Sequence, residues 1–242
     1  MIEFRNVDKT FGGRDILRDM SLTVECGEFF VLVGMSGAGK TTILKMMNRL
    51  VEPDSGEILF QDKKLMDWDL RELRLNIGYV LQQGALFPNL TVGENIGLIP
   101  GLKEWDKGET EREAKRLLAL VGLNPAVYYD RYPRQLSGGE KQRVGILRAI
   151  ITKPRLLLMD EPFSALDPII RRDLQKLIRF LHEELEMTVA FVTHDMREAM
   201  LLADRIGIVE NGQVVQVDTP ADILKRPADA FVRKLFESED LL

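Results

Sequence analysis

The run Val31-Leu32-Val33 feeds directly into Gly34-Met35-Ser36-Gly37-Ala38-Gly39-Lys40-Thr41, and Thr41 to Leu50 then reads as a helix. Strand, glycine loop and helix in that order restrict the chain to folds built on a strand-to-helix crossover. The loop fits G-x-x-x-x-G-K-[ST] at every fixed position. Glycines without side chains let backbone N–H groups turn inward around phosphate oxygens, and the following helix N-terminus favours negative charge. Lys40 would reach the β- and γ-phosphates of a nucleotide, and Thr41 would ligate Mg²⁺. A glycine-rich turn with no ligand is the competing reading, and the strand before and helix after argue against it.

Composition then removes several classes. At 242 residues with 45% hydrophobic content, the chain holds one large domain or a core with a subdomain. The net charge of −5, with neither half a basic block, argues against a nucleic-acid partner. A single cysteine, Cys26, cannot form an internal disulfide, which reads as cytosolic; it is expected as a small buried hydrophobe at a strand end. The N-terminus lacks a signal-peptide pattern, and apolar runs such as Phe29 to Val33 are too short to span a bilayer. Any membrane role must come through partner subunits.

Strand patterns occupy residues 2–8 and 20–33, with turns at Gly12-Gly13 and Cys26-Gly27-Glu28, and Pro53 to Gly56 turns the chain into a strand at Glu57 to Phe60. Residues 87–155 have helical periodicity; Ala114, Leu117, Leu118 and Val121 share one face. This segment reads as a helical subdomain inserted into an α/β core formed by residues 1–86 and 156–242. Within the core, Leu156 to Asp160 and Thr188 to Thr193 are buried strands. A helix opening at Asp167-Pro168 should bury Ile170, Leu174, Leu177, Ile178, Leu181 and Leu185. Asn211-Gly212 marks a tight hairpin turn, and the last twenty or so residues suggest a helical tail.

Three strand ends carry candidate chemistry, since ligands of α/β sheets bind at the carboxyl ends of strands. Asp160 and Glu161 close one strand; the first would hold Mg²⁺ through water and the second would orient or deprotonate an attacking water. His194 follows another and would hydrogen-bond a γ-phosphate, whereas His182, midway along an amphipathic helix, reads as structural. Gln82 follows the strand Ile77 to Leu81 and would touch Mg²⁺ or the water; Gln83 beside it is a rival that spacing does not exclude.

Leu136-Ser137-Gly138-Gly139-Glu140-Lys141-Gln142 contains a capping box, with Ser137 at N-cap and Glu140 three residues on. Capping does not explain Gly138 and Gly139, which weaken a first helical turn. Bare N–H groups at a helix start suit phosphate approach. Asp167-Pro168, taken alone, is ordinary helix initiation.

The phosphate loop, Gln82, Leu136 to Gln142, Leu156 to Glu161, Ser164-Ala165-Leu166-Asp167 and His194 occur in the order of the ATPase subunits of ABC transporters, and the chain resembles that family over essentially its whole length. The resemblance implies a P-loop NTPase fold: a RecA-like α/β core with an antiparallel β subdomain and the inserted helical subdomain. It implies a head-to-tail dimer, of two copies or of two closely related subunits, that encloses two ATP molecules with Mg²⁺. Each nucleotide would meet Gly34, Ser36, Gly37, Ala38, Gly39, Lys40, Thr41, Thr42, Gln82, Asp160, Glu161 and His194 of one chain, and Ser137, Gly138 and Gly139 of the other. Asp167 would communicate across the interface, and Phe11 matches the aromatic that stacks on adenine. Membrane permease subunits would be direct partners and an extracytoplasmic solute-binding protein an indirect one, placing the chain at the cytoplasmic face of the membrane.

A finer resemblance rests on Tyr79-Val80-Leu81-Gln82-Gln83, Ala85-Leu86-Phe87-Pro88, Glu94-Asn95-Ile96, Ile99-Pro100 and Trp105, which are similar to bacterial importers of glycine betaine, choline or carnitine. In that group this region faces the membrane subunit. Some of those ATPases carry paired C-terminal regulatory domains; with the sequence ending at Leu242, osmotic gating through them is not expected. An importer of another small solute, such as amino acids, is the alternative, followed by a non-transport ABC ATPase. Repair ATPases insert a long coiled coil and translation factors carry two ATPase units, and neither pattern is present. A P-loop kinase or switch GTPase would leave Leu136 to Gln142 and His194 without a purpose.

Overall fold

The structure is a computed structural model that describes residues 1–81, 85–164 and 166–237. In chain order the strands are β1 (Ile2–Phe11), β2 (Arg14–Val24), β3 (Phe29–Val33), β4 (Ser55–Phe60), β5 (Lys63–Lys64), β6 (Ile77–Val80), β7 (Leu156–Asp160), β8 (Thr188–Thr193), β9 (Arg205–Glu210) and β10 (Gln213–Asp218). The helices are α1 (Lys40–Met47), α2 (Leu70–Leu75), α3 (Val92–Ile96), α4 (Leu98–Leu102), α5 (Lys107–Leu120), α6 (Pro125–Tyr128), α7 (Gly138–Ile150), α8 (Pro168–Leu185), α9 (Met196–Leu202), α10 (Pro220–Lys225) and α11 (Ala230–Glu237). The chain divides into two compact units, one of Met1–Arg74 with Thr188–Leu242 and one of Leu75–Met187.

In the first unit, β1 pairs antiparallel with β2 and β4, and β4 with β5. A second set runs β10-β9-β3-β8: β3 lies parallel to both β8 and β9, and β9 turns back antiparallel into β10. Every residue of β3 and β8 is buried. Strands covered on both faces read as unbroken apolar runs, and both runs were legible as such. Phe29 and Phe191 join them, ring centroids 5.9 Å apart and tilted.

The second unit holds the parallel pair β6 and β7 with helices α3 to α8. Helix α5 buries Ala114, Leu117 and Leu118, with Val121 buried just past its end, as the spacing requires. Helix α8 buries Leu174, Ile178 and Leu181, while Ile170, Leu177 and Leu185 are half-buried. The apolar stripe is therefore narrower than the sequence suggests; Gln175 and His182 complete the buried face, which keeps His182 structural.

The expectation for Cys26 is corrected. It is exposed, because the Cys26-Gly27 turn lies past the end of β2, whose last residue Val24 is the buried one. Among the described residues, no helix is long and apolar enough to cross a membrane.

Candidate functional site

The phosphate loop is held from outside as well as by its own Lys40 side chain. At its start, a Cβ on Gly34 would fall 2.1 Å from the Val209 carbonyl oxygen of β9. Near its end, a Cβ on Gly39 would fall 2.8 Å from Leu17 of β2. The approach to backbone requires glycine at Gly34, and at Gly39 the left-handed φ of +106° and the Ile16 carbonyl oxygen, 3.1 Å from an added Cβ, do so. Met35, Ser36 and Gly37 form the exposed crest, and Ala38 and Gly39 are buried. Gly39 is the N-cap of α1 in a left-handed conformation, so the first amides of the helix open onto the loop.

Lys40 is only 5% exposed, and its Nζ donates to the Gly34 and Met35 carbonyls at 2.8 and 2.9 Å. An ammonium buried against carbonyl dipoles is a fixed cation inside the loop, suited to phosphate oxygens. Thr41 and Thr42 follow on the first turn of α1, both half-buried. Among the described residues, no three His, Cys, Asp or Glu side chains gather to hold an ion. A Mg²⁺ ion fits this donor set in the manner of phosphate-bound magnesium, with few protein ligands.

Parallel register explains which candidates share an edge. Val33 of β3 is paired with Thr193 of β8, so Gly34 and His194 leave adjacent strands at the same end of the first unit. In the second unit Val80 of β6 is paired with Met159 of β7, so Leu81 and Asp160 emerge together. Both pairs sit at carboxyl ends of parallel strands.

His194 is exposed, and the turn beneath it is built by residues that motif spacing did not single out. The Thr193 hydroxyl donates to Glu198 at 2.7 Å and accepts from the Asp195 N–H at 3.0 Å. Asp195 caps α9 by accepting from the N–H groups of Arg197 and Glu198. The spacing Asp195-x-x-Glu198 is that of a capping box, which could have flagged the pair. Glu198, buried, turns to Thr193 instead and so fixes the base of His194.

Asp160 and Glu161 are half-buried, and Glu161 has φ of +42°. A left-handed non-glycine residue costs about 1–2 kcal/mol. Its carbonyl accepts from the Ser164 N–H and hydroxyl at 3.4 and 3.1 Å, a turn that holds it there. Tyr79 stands across from Leu158, on the same face of the strand pair as Asp160. Burial, with the Asp160 charge added, pushes its phenol up to about 12, so it stays a neutral group beside the acid.

Ser137 caps α7 as the sequence predicts: its Oγ accepts from the Glu140 N–H at 3.3 Å and Glu140 accepts from the Ser137 N–H at 2.7 Å. The Tyr128 hydroxyl also donates to Glu140, at 2.5 Å. Chiefly through that bond, the Glu140 carboxyl is held below its usual range. Ser137 and Gly138 are exposed, whereas Gly139 is buried and a Cβ there would fall 2.6 Å from Cγ2 of Ile170. Packing against α8 thus accounts for one of the two glycines, and Gly138 alone stays bare.

Asp167 is the N-cap residue of α8 with Pro168 at N1, but its carboxylate makes no capping bond and the residue is exposed. Phe11, at the end of β1, is 48% exposed, with Lys9 Nζ 5.1 Å from its ring centroid. Gln82, with its rival Gln83, lies outside the described residues. Its flanks are held by α7: Gln142 donates to the Leu81 carbonyl at 3.5 Å and Arg148 to the Ala85 carbonyl at 2.9 Å. Further on, fully buried Asn95 accepts from the Phe87 N–H and donates to the carbonyls of Phe87, Leu90 and Thr91.

The ABC transporter family model matches residues 17–164. The choline transport ATP-binding protein of Bacillus subtilis is 49% identical over 100% of this chain and 64% of its own length. The carnitine transport ATP-binding protein of Listeria monocytogenes is 48% identical, over 100% of this chain and 61% of its own. The chain thus spans less than two thirds of these two relatives. The ATP-binding protein of a glycine betaine uptake system in Escherichia coli is 45% identical over 100% of this chain and 78% of its own. Among solved structures, a dimeric ATP-binding cassette in a post-hydrolysis state with ADP and Pi is similar at TM-score 0.80 and 33% identity, over 91% of this chain and 99% of that one.

Proposed function

The chain belongs to the ABC transporter family, and from that premise we propose that it is the ATP-hydrolysing subunit of an importer. It would work as a head-to-tail pair on separate membrane subunits. The observation that carries this reading is the phosphate loop, with Lys40 buried inside it and the amides of α1 opening onto it.

Gly34, Ser36, Gly37, Ala38 and Gly39 supply the backbone cradle, and Lys40 neutralises phosphate charge. Phe11 offers its exposed ring to adenine. Thr41 and Asp160, with Gln82, would hold Mg²⁺ and the waters around it, and Thr42 would lie beside the nucleotide; the ion, when bound, would offset charge that develops on the phosphates. Glu161 orients the attacking water and takes its proton, and His194 donates a hydrogen bond to the γ-phosphate. Ser137, Gly138 and Gly139 complete the partner's nucleotide site, and Asp167 faces the partner. Support for pairing comes from the dimeric cassette that resembles this chain. Support for a quaternary-amine solute comes from relatives named for choline, carnitine and glycine betaine transport. The partners are membrane permease subunits at the cytoplasmic face, with an extracytoplasmic receptor delivering solute.

The test has two arms. Glu161→Gln should keep ATP binding and lose hydrolysis by about 10²–10⁴-fold; unchanged turnover would remove Glu161 from the chemistry. Cells without this chain should fail to accumulate radiolabelled choline or glycine betaine at high osmolarity. Undiminished uptake of both would overturn the osmoprotectant assignment.

A further inference from the structure

The Asn211-Gly212 turn joining β9 to β10 reads in sequence only as a tight hairpin, and the proposed chemistry makes no use of it. In the fold it touches the phosphate loop. The Gly212 N–H donates to the Ala38 carbonyl at 3.2 Å, and its own carbonyl accepts from the Arg18 N–H of β2 at 3.1 Å. A Cβ on Gly212 would fall 2.3 Å from the Ile16 carbonyl oxygen, and a Cβ on Gly39 would fall 3.1 Å from that same oxygen. Loop, strand and turn therefore meet backbone to backbone at this point. The same hairpin also abuts the other end of the loop, through Val209 against Gly34.

We propose that Gly212 is a positioning residue for nucleotide binding: its N–H fixes the Ala38–Gly39 peptide so that the Gly39 amide faces bound phosphate. The inference rests on the ATP-binding reading above. Its physical basis is the planar trans peptide, in which C=O and N–H point in opposite directions. Pulling the Ala38 carbonyl toward the hairpin turns the Gly39 N–H away from it, and Gly39 is the N-cap of the helix whose amides would hold phosphate. The β9–β10 hairpin thus serves as an external splint for the loop, beside the bonds that its own Lys40 makes to Gly34 and Met35.

A turn requirement alone also explains glycine at this position, since Asn211 and Gly212 both have positive φ, +47° and +81°. The test must separate strain from positioning, and Gly27 provides the control. It has φ of +77°, a Cβ added to it would meet nothing within 4 Å, and it precedes β3 at the end opposite the phosphate loop. Gly27→Ala therefore matches the left-handed φ strain, without the clash at Ile16 and without touching the loop.

Binding of methylanthraniloyl-ATP with Mg²⁺ is measured by fluorescence for the wild-type chain, Gly27→Ala and Gly212→Ala, alongside urea unfolding. Both variants should show lower urea midpoints. Only Gly212→Ala should raise the nucleotide Kd, by about tenfold or more, whereas Gly27→Ala should stay within about twofold of wild type. Wild-type affinity in folded Gly212→Ala, or equal weakening in Gly27→Ala, would overturn the proposal. If Gly212→Ala does not fold, hydrogen exchange on the wild-type chain decides: ATP should slow exchange of the Gly212 amide together with that of Gly39, and an unchanged Gly212 rate overturns the inference. Failure of the wild-type chain to bind the probe would instead overturn the ATP-binding reading itself.

Discussion

Gly139 shows how one residue can carry a motif and a packing constraint together. Its missing side chain admits Cγ2 of Ile170, so the helix start at Ser137 lies directly against α8. Gly139→Ala should cost about 1–3 kcal/mol through overpacking, read as a lower urea midpoint, whereas Gly138→Ala, with Leu166 3.7 Å from its Cβ, should cost far less. Equal costs at the two positions would remove the packing explanation. Sequence alone could not divide these glycines, because the difference lies in a contact about thirty residues away. The places of Lys40, Asp160, Glu161 and His194 in the fold were legible because each lies in the glycine loop or at the end of a recognisable buried strand. The bond from Thr193 to Glu198 was not: the spacing Asp195-x-x-Glu198 points to a capping box, and a buried carboxylate answering a hydroxyl instead leaves no periodic trace. Cys26 failed for a related reason: hydrophobicity does not say whether a residue lies within a strand or just beyond its last buried position.

Helix α7 is the element that ties most of the second unit together. Its first turn is capped by Ser137, its Gln142 and Arg148 hold the carbonyls of Leu81 and Ala85, and Glu140 takes the Tyr128 hydroxyl. The capping box was readable from four residues, whereas the three longer-range bonds required the fold. Glu140 gives the element a pH dependence of known sign. Its carboxyl is held below the usual range in the folded chain, so its charge stabilises the fold above the unfolded carboxylate pKa. That contribution fades as pH falls through the lower folded value. Glu140→Gln keeps hydrogen-bonding capacity without the charge, so its urea midpoint should fall below wild type at pH 7 and converge with it under acid. A gap that persists undiminished below the folded pKa would show that the charge is not responsible. The β9–β10 hairpin is the counterpart in the first unit, bracing the phosphate loop from Val209 to Gly212.

At the scale of the whole molecule, the α/β class, the parallel strands that present the loop and His194, and the helical character of residues 87–155 followed from apolar periodicity. Contact density, however, groups β6 and β7 with those helices, since strand pairing binds segments that sequence order separates by about eighty residues. What a single chain does not display is the pair. Ser137 and Gly138 are exposed at a helix start, Asp167 is an N-cap residue that does not cap, and Ile169 close by is 77% exposed. Each of these is expected to be covered when two copies enclose ATP. Glu161→Gln should hold that closed state, because ATP binds but is not consumed. The decisive measurement is therefore light scattering of Glu161→Gln with ATP and Mg²⁺: the mass should be that of two chains and should fall to one chain when ADP replaces ATP. A monomer in ATP and Mg²⁺ would contradict ATP hydrolysis by a head-to-tail pair.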